Sequence, residues 1–381
     1  VADPASSLAD LTARLVAIDS TNPNLVPGGA GEGEVARFVA GWLERAGMKV
    51  RVEEAAPGRP NVVARARGTG NGSTLLLNAH TDTVGAGGMV DPFLPRIDGD
   101  RLVGRGAFDM KASLAAIMLV GAEAVRRDWR GDVVVAAVAD EEFASVGTQR
   151  LVETVRADAA VVAEPTDEEL CIAHKGFAWL QIETRGRAAH GSLADEGIDA
   201  IAAMGPVLSG IAALDRRLAE RPSHPLLGRG SLHASLIAGG TELSTYPDRC
   251  LLSLERRTVP GETAAAVEAE LHSVLEAAAH ADPNFAGSLR MTLWREPFAI
   301  SPDDPLVRLA RRAIAGATGR EPPLAGAFGW MDSALLAAAG IPTVVYGPAG
   351  DGAHADHEWV DLPSAERCLR GLLAVAEAVC A

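Results

Sequence analysis

Only four cysteines occur in the 381 residues, at Cys171, Cys250, Cys368 and Cys380, without paired spacing. Scattered thiols favour free cysteines in a reducing compartment over a disulfide framework or a thiolate metal site. Long apolar runs are missing too. The longest helical one, 114–125, contains Glu123 and falls short of a membrane span. Positive charge is in deficit: 35 Lys and Arg stand against 50 Asp and Glu, a formal net charge of −15. That balance argues against nucleic acid or an anionic membrane surface as partner. There is no internal repeat and no low-complexity segment. Val1-Ala2-Asp3-Pro4 has neither the basic nor the apolar region of a secretory signal. The expectation is a cytoplasmic protein with small-molecule partners.

What is present is a set of imidazoles and carboxylates at the ends of apolar runs. The run 75–77 leads into Asn78-Ala79-His80, followed by Asp82. The run 133–138 leads into Asp140-Glu141-Glu142, and 161–163 into Glu164. Asp109 and, far downstream, His354 complete the set. Short aliphatic runs of this kind read as buried strands of a parallel sheet. Ligands of open α/β sheets bind beyond the carboxyl ends of the strands. Two His and several carboxylates gathered there describe a metal centre with N and O ligands, and two metals are expected.

At 381 residues two domains are expected. Strand-like and helical segments alternate up to Glu164, an α/β pattern with a mostly parallel sheet and helices on both faces. Gly68-Thr69-Gly70-Asn71-Gly72 lies between two strand-like runs and reads as a hairpin turn. From 175 the order becomes βαββαβ: strand 177–184, helix 195–220, strands 231–237 and 250–257, helix 262–280, strand 289–294. That is the pattern of a ferredoxin-like α+β domain. After Trp294 the α/β pattern resumes. The expected division is therefore a catalytic domain over 1–174 and 295–381, with an inserted lid and dimerisation domain over 175–294. It requires His354 to fold back beside His80.

Side chains two apart on an extended strand end share a side, so His80 and Asp82 sit together. A metal-bound imidazole commonly donates its other N–H to a carboxylate, which suits His80 as ligand and Asp82 as its orienting partner. Asp109 precedes a helix, where its two oxygens can bridge two cations. Glu141 and Glu142 are adjacent and point to opposite sides, so one can bind metal while the other faces the substrate. Each residue alone has a plainer reading: a strand-end His is usually just hydrogen-bonded, an Asp before a helix is usually an N-cap, and a Glu pair is usually solvated. Their joint recurrence on successive strand ends favours the site.

The segments NAHTDTV from Asn78, GRGAFDMKA from Gly104, DEEF from Asp140, AEPT from Ala163, RAAHGS from Arg187, ERRTVPGET from Glu255, WMDSALL from Trp330 and YGPAG…HADHE from Tyr346 occur in this order. With them the chain resembles the zinc-dependent aminoacylase family that includes acetylornithine deacetylase, succinyl-diaminopimelate desuccinylase and glutamate carboxypeptidase. The resemblance covers nearly the whole chain. It implies one zinc on His80 and Glu164, a second on Glu142 and His354, and Asp109 bridging, with cobalt or manganese as alternative metals. It implies Glu141 as general base and a cis peptide after Asp109. His190 would stabilise the oxyanion, often from the partner subunit of a homodimer built through the inserted domain. Arg257 would bind the substrate carboxylate, with backbone donors around Gly347 and Gly350.

Three positions depart from the family pattern. Ser244 stands where many relatives carry a substrate-holding Asn, Glu255 where Asp is commoner, and Met331 where Thr is usual. The activity implied is hydrolysis of the amide of an N-acyl amino acid. The alternatives are a metallo-dipeptidase or carboxypeptidase of the same family, or a relative that binds metal without catalysis.

Overall fold

The computed structural model describes residues 7–381, so the reading of Val1-Ala2-Asp3-Pro4 lies outside the described residues. The chain divides into two compact units. One holds the chain up to Ile172 with Ile300–Ala325 and Met331–Ala381; the other holds Ala173–Ala299 with Gly326–Trp330.

The larger unit is built on a mixed sheet. Leu75–His80 lies between Val133–Val138 and Ala159–Val162, parallel to both. Thr343–Val345 extends the parallel set beside Ala159–Val162. Every position of these four strands is buried, which is why they read as continuous aliphatic runs rather than alternating ones. Helices cover both faces, and the helix Ala112–Ala124 is buried almost all round. Because the four strands run the same way, the residues that follow them collect at one sheet edge.

The glycine-rich segment 68–72 is not the hairpin that its composition indicated. The strands it links, Arg59–Ala66 and Leu75–His80, are not neighbours; Val133–Val138 lies between them. The glycines serve close approach instead. Gly70 and Gly72 both donate to the carbonyl of Arg130, and a Cβ at Gly72 would lie 2.3 Å from the amide nitrogen of Gly131. The actual hairpin joins Lys49–Ala56 to Arg59–Ala66, with Ala56 opposite Arg59.

A small antiparallel sheet of two- and three-residue strands had no visible pattern in the sequence. It runs Gly350–Asp351, Trp359–Asp361, Arg101–Val103, Arg96–Asp98. Trp359 pairs with Val103. This register sets the loop before Trp359, which carries His354, against the loop after Val103, which carries Asp109.

The smaller unit is one antiparallel sheet with two helices, Ala200–Glu220 and Ala264–Ala281. Its strands lie in the order Ser231–Gly239, Arg249–Thr258, Gly176–Arg185, Ala286–Arg295, the ferredoxin-like arrangement of a βαββαβ chain. Arg249–Thr258 alternates buried and half-exposed residues, as a sheet with one packed face requires. Leu180, Ile182, Leu252, Leu254, Met204 and Leu271 belong to that packed core. The first helix starts at Ala200, later than 195, because the Asp199 side chain caps it by accepting the Ala202 N–H at 2.9 Å. Among the described residues no helix is long and apolar enough to cross a membrane.

Candidate metal centre

His80 ends its strand with a side chain 1% exposed. Its Nδ1 faces the carbonyl oxygen of Asp82 at 2.9 Å and Asp82 Oδ1 at 3.5 Å. That leaves Nε2 turned toward acidic oxygens: Asp109 Oδ1 at 3.0 Å and Glu164 Oε1 at 3.7 Å. His354 approaches from the other side. Its Nε2 lies 3.0 Å from Glu142 Oε2 and 3.4 Å from Asp109 Oδ2. Asp109 thus offers one oxygen to each imidazole. His80, Asp109 and Glu142 each present an atom within 4.8 Å of the others, as do His80, Glu141 and Glu164.

The backbone that carries these groups is itself held by buried carboxylates. Asp82 accepts the backbone N–H of Glu141 at 3.1 Å and of Glu142 at 3.2 Å. It therefore braces the Glu141-Glu142 turn as well as facing His80. Around Asp109 the helical geometry is broken and the Asp109–Met110 peptide is cis. Glu358, buried, holds this segment by accepting N–H groups from Gly106 at 2.8 Å, Phe108 at 2.9 Å and Asp109 at 3.0 Å. Arg105 pairs with Glu358 at 2.7 Å and donates to the carbonyl of Ala355, also at 2.7 Å. Loops from distant parts of the chain, each with a candidate ligand, are locked together there.

The electrostatics are those of a site short of positive charge. Burial opposes a charge on His80, yet Glu164, Asp109 and Asp82 raise its pKa well above the ordinary imidazole value. Hydrogen bonds that its ring donates to Asp109 and Glu142 raise His354 to about 10. Burial, reinforced by the charges of Glu164 and Asp332, drives Glu141 well above the usual carboxylate range. Glu164 rises for the same first reason. Glu142 Oε1 is buried without a hydrogen-bond partner. Two imidazoles, several crowded carboxylates and an orphaned buried oxygen are donors that fit divalent cations.

Asp332 is a further carboxylate beside these residues to which its sequence pattern assigns no role. It is buried, accepts the Thr148 hydroxyl at 2.6 Å through Oδ2, and its Oδ1 has no partner. Burial raises its pKa to about 6. Its one signal in the sequence was the segment WMDSALL. Gly347 packs against the Glu164 backbone, where a Cβ would lie 2.2 Å from the Glu164 carbonyl oxygen, so only glycine fits. Its N–H is taken by Thr166 Oγ1 at 2.9 Å. Gly350 pairs with Val360 in the small sheet.

The other expected residues lie in the smaller unit. His190 bridges to Thr245, and the Gly191 N–H reaches the Ser244 carbonyl at 2.7 Å, so His190 and Ser244 share one exposed structure. His190 Nδ1 is 2.8 Å from Ser192 Oγ. The Arg257 guanidinium is engaged by Glu255, two residues earlier on the same strand, with Nε 2.7 Å from Oε1. It also lies 5.1 Å from the centroid of the Phe177 ring. His174 is buried beside Phe298, with ring centroids 5.2 Å apart.

Residues 76–378 match the peptidase family M20/M25/M40. The chain belongs to this family. It is 29% identical over 366 residues to N-formyl-4-amino-5-aminomethyl-2-methylpyrimidine deformylase of Bacillus subtilis, covering 86% of this chain and 85% of that protein. It is 28% identical over 385 residues to acetylornithine deacetylase of Myxococcus xanthus, covering 97% and 96% respectively. Aminopeptidase PepT of Bacillus cereus has the same fold, with a TM-score of 0.79, 22% identity and 98% of each chain covered. As a member of the M20/M25/M40 family the protein is a metal-dependent hydrolase of amide bonds.

Proposed function

We propose that the protein hydrolyses the amide of an N-acyl amino acid with two zinc ions. The observation that carries this reading is Asp109 lying between two imidazoles, one oxygen toward each. His80 and Glu164 would hold one ion, Glu142 and His354 the other, and Asp109 both. Paired cations at such a centre lower the pKa of a water and polarise a carbonyl.

Glu141 is the general base. Its carboxylate clusters with His80 and Glu164, beside the place the ions would occupy, as a group that takes a proton from water and returns it must be. It removes a proton from the attacking water as the oxygen–carbon bond forms. It delivers that proton to the nitrogen as the C–N bond breaks, giving a carboxylic acid and a free amine. Asp82 holds the turn that carries Glu141 and fixes the His80 ring. His190 donates to the developing oxyanion. Arg257 receives the substrate carboxylate in place of Glu255, and Ser244 belongs to the same exposed structure as His190; within the larger unit, the backbone around Gly347 and Gly350 is the candidate for substrate contact. The edge strand Ser231–Gly239 exposes Leu236 and Ile237, which supports a homodimer through the smaller unit. The expected location is the cytoplasm.

The test is exhaustive metal removal followed by zinc, cobalt or manganese, assayed on a panel of N-acetyl-L-amino acids and of dipeptides. Activity should vanish and return with metal, and acetyl substrates should give the higher kcat/KM. Full activity in metal-free protein would end the reading. A preference for dipeptides would convert it to a dipeptidase.

A further inference from the structure

Arg59 opens the strand Arg59–Ala66, and it is nearly fully buried together with Glu32, Asn22 and Asp140. Its guanidinium forks onto Glu32, with Nε 2.7 Å from Oε2 and Nη2 2.5 Å from Oε1. Nη2 also lies 2.8 Å from Asp140 Oδ1. Glu32 in turn accepts the backbone N–H of Asp140 at 3.2 Å. One ion pair thus grips Asp140 by both side chain and backbone.

Asp140 needs such a grip. Its φ is +68°, in the left-handed region that a Cβ disfavours. The reversal there turns the chain out of Val133–Val138 and sets the directions of Glu141 and Glu142. Asn22 closes the arrangement: its Nδ2 donates to Asp82 Oδ2 at 2.8 Å and to Asp140 Oδ1 at 3.0 Å. Asp82 carries the backbone N–H groups of the two glutamates. An unbroken path of buried polar contacts therefore runs from Arg59 to the turn 140–142.

We infer that Arg59 is a positioning residue: through Asp140, and by way of Asn22 and Asp82, it sets the orientation of Glu141 and Glu142. The inference rests on the roles given to those two residues above. A buried ion pair that only stabilised the fold would predict otherwise, since kcat per folded molecule would then be untouched.

The experiment compares Arg59→Lys, Asp140→Asn and the double variant with the wild type. It uses the best N-acetyl-L-amino acid of the panel and measures zinc release to a chromophoric chelator. Lysine keeps the charge and loses the fork. Arg59→Lys should retain the full metal complement. Its kcat should fall by about 10- to 100-fold, as displaced catalytic groups do, and KM should change by less than about twofold. Zinc should leave faster than from the wild type. The two substitutions together should cost far less than the product of their separate effects, because both act on one contact. Wild-type kcat and zinc release in folded Arg59→Lys, or multiplicative effects in the double variant, would overturn the inference. If Arg59→Lys fails to fold, Asn22→Ala takes its place, since it strands no buried charge. The same loss of kcat at constant KM is expected there, and wild-type kcat in Asn22→Ala overturns the inference. Glu141→Gln run in parallel separates the readings. If that variant keeps its turnover, the general-base assignment fails, while zinc release still tests Arg59 through Glu142.

Discussion

In the larger unit the residues without exposed surface include Glu32, Asp82, Asp140, Asp332 and Glu358. In the smaller unit the buried core is Leu180, Met204, Leu252, Leu254 and Leu271 and their apolar neighbours, with Arg256 as a buried charge, paired with Glu262. Burying a charge costs several kcal/mol unless it is well paired, whereas burying a leucine contributes about 2 kcal/mol of stability. The larger unit therefore gives up stability to hold charged groups in one arrangement. The smaller unit gains stability from packing and carries His190, Ser244 and Arg257 on exposed or half-exposed positions. Damage should accordingly separate: substitutions in the larger unit should strike chemistry and metal, and core substitutions in the smaller one should strike stability.

The largest effect is expected from Glu141→Gln. Turnover should fall by about 1,000-fold or more, within the range for a lost general base. Bound metal should stay near the wild-type amount, measured by atomic absorption after gel filtration. Loss of metal with loss of turnover would mean that Glu141 is a ligand and that Glu142 has the other role.

Leu254→Ala is the counterpart in the smaller unit. Leu254 is 1% exposed, on the strand Arg249–Thr258. Its removal should destabilise the protein by about 2–5 kcal/mol, read as a lower urea midpoint. The metal content and kcat of the folded fraction should be unchanged. A metal-depleted Leu254→Ala would show that the units do not fail independently.

The comparison also explains what was legible beforehand. His80, Glu141, Glu142 and Glu164 each follow an aliphatic run, and parallel strands bring such residues to one edge whatever the loops do. The alternation in Gly176–Arg185 and Arg249–Thr258 makes the sheet of the smaller unit readable too. The pairing that grips Asp140 was not readable. Glu32 and Arg59 lie 27 positions apart, and the Asp140–Asn22 contact spans 118. No local period marks partners that meet only after the sheet has formed. The strands Arg101–Val103 and Trp359–Asp361 are too short to alternate visibly, so the contact that draws the His354 loop toward Asp109 went unseen. In segment 68–72, glycine marked close backbone approach rather than a turn between paired strands. Nothing in composition separates those uses.

His190→Ala sharpens the comparison from the opposite direction, as a change of chemistry made in the smaller unit. His190 is exposed and its ring touches Ser192, so its loss should leave folding intact. Removing an oxyanion donor should lower kcat by about 100-fold, with metal content and urea midpoint unchanged. Wild-type turnover in His190→Ala would confine the chemistry to the larger unit.

The smallest effect belongs to a charged pair of the larger unit remote from the buried network, Glu168 with Arg367. The two form a fork, with Nε 2.9 Å from Oε2 and Nη2 2.6 Å from Oε1. Burial opposes ionisation of Glu168, but hydrogen bonds from Arg367 and Ser364 together with the charges of Arg367 and Arg320 outweigh it and lower the pKa. A carboxylate with a depressed folded-state pKa binds fewer protons folded than unfolded near that range. Its contribution is therefore complete above the unfolded value of about 4.3 and fades as pH falls through the folded value. Arg367 is 38% exposed, so solvent screening keeps the pair to about 0.5–1 kcal/mol. Glu168→Gln, compared with the wild type in metal-free protein, should show this difference at pH 6 and a progressively smaller one as the pH falls through the folded value. A difference that persisted undiminished into acid would assign the effect to lost packing or to the Gln amide. The pair would then resemble the smaller unit's packed contacts more than the larger unit's paired charges.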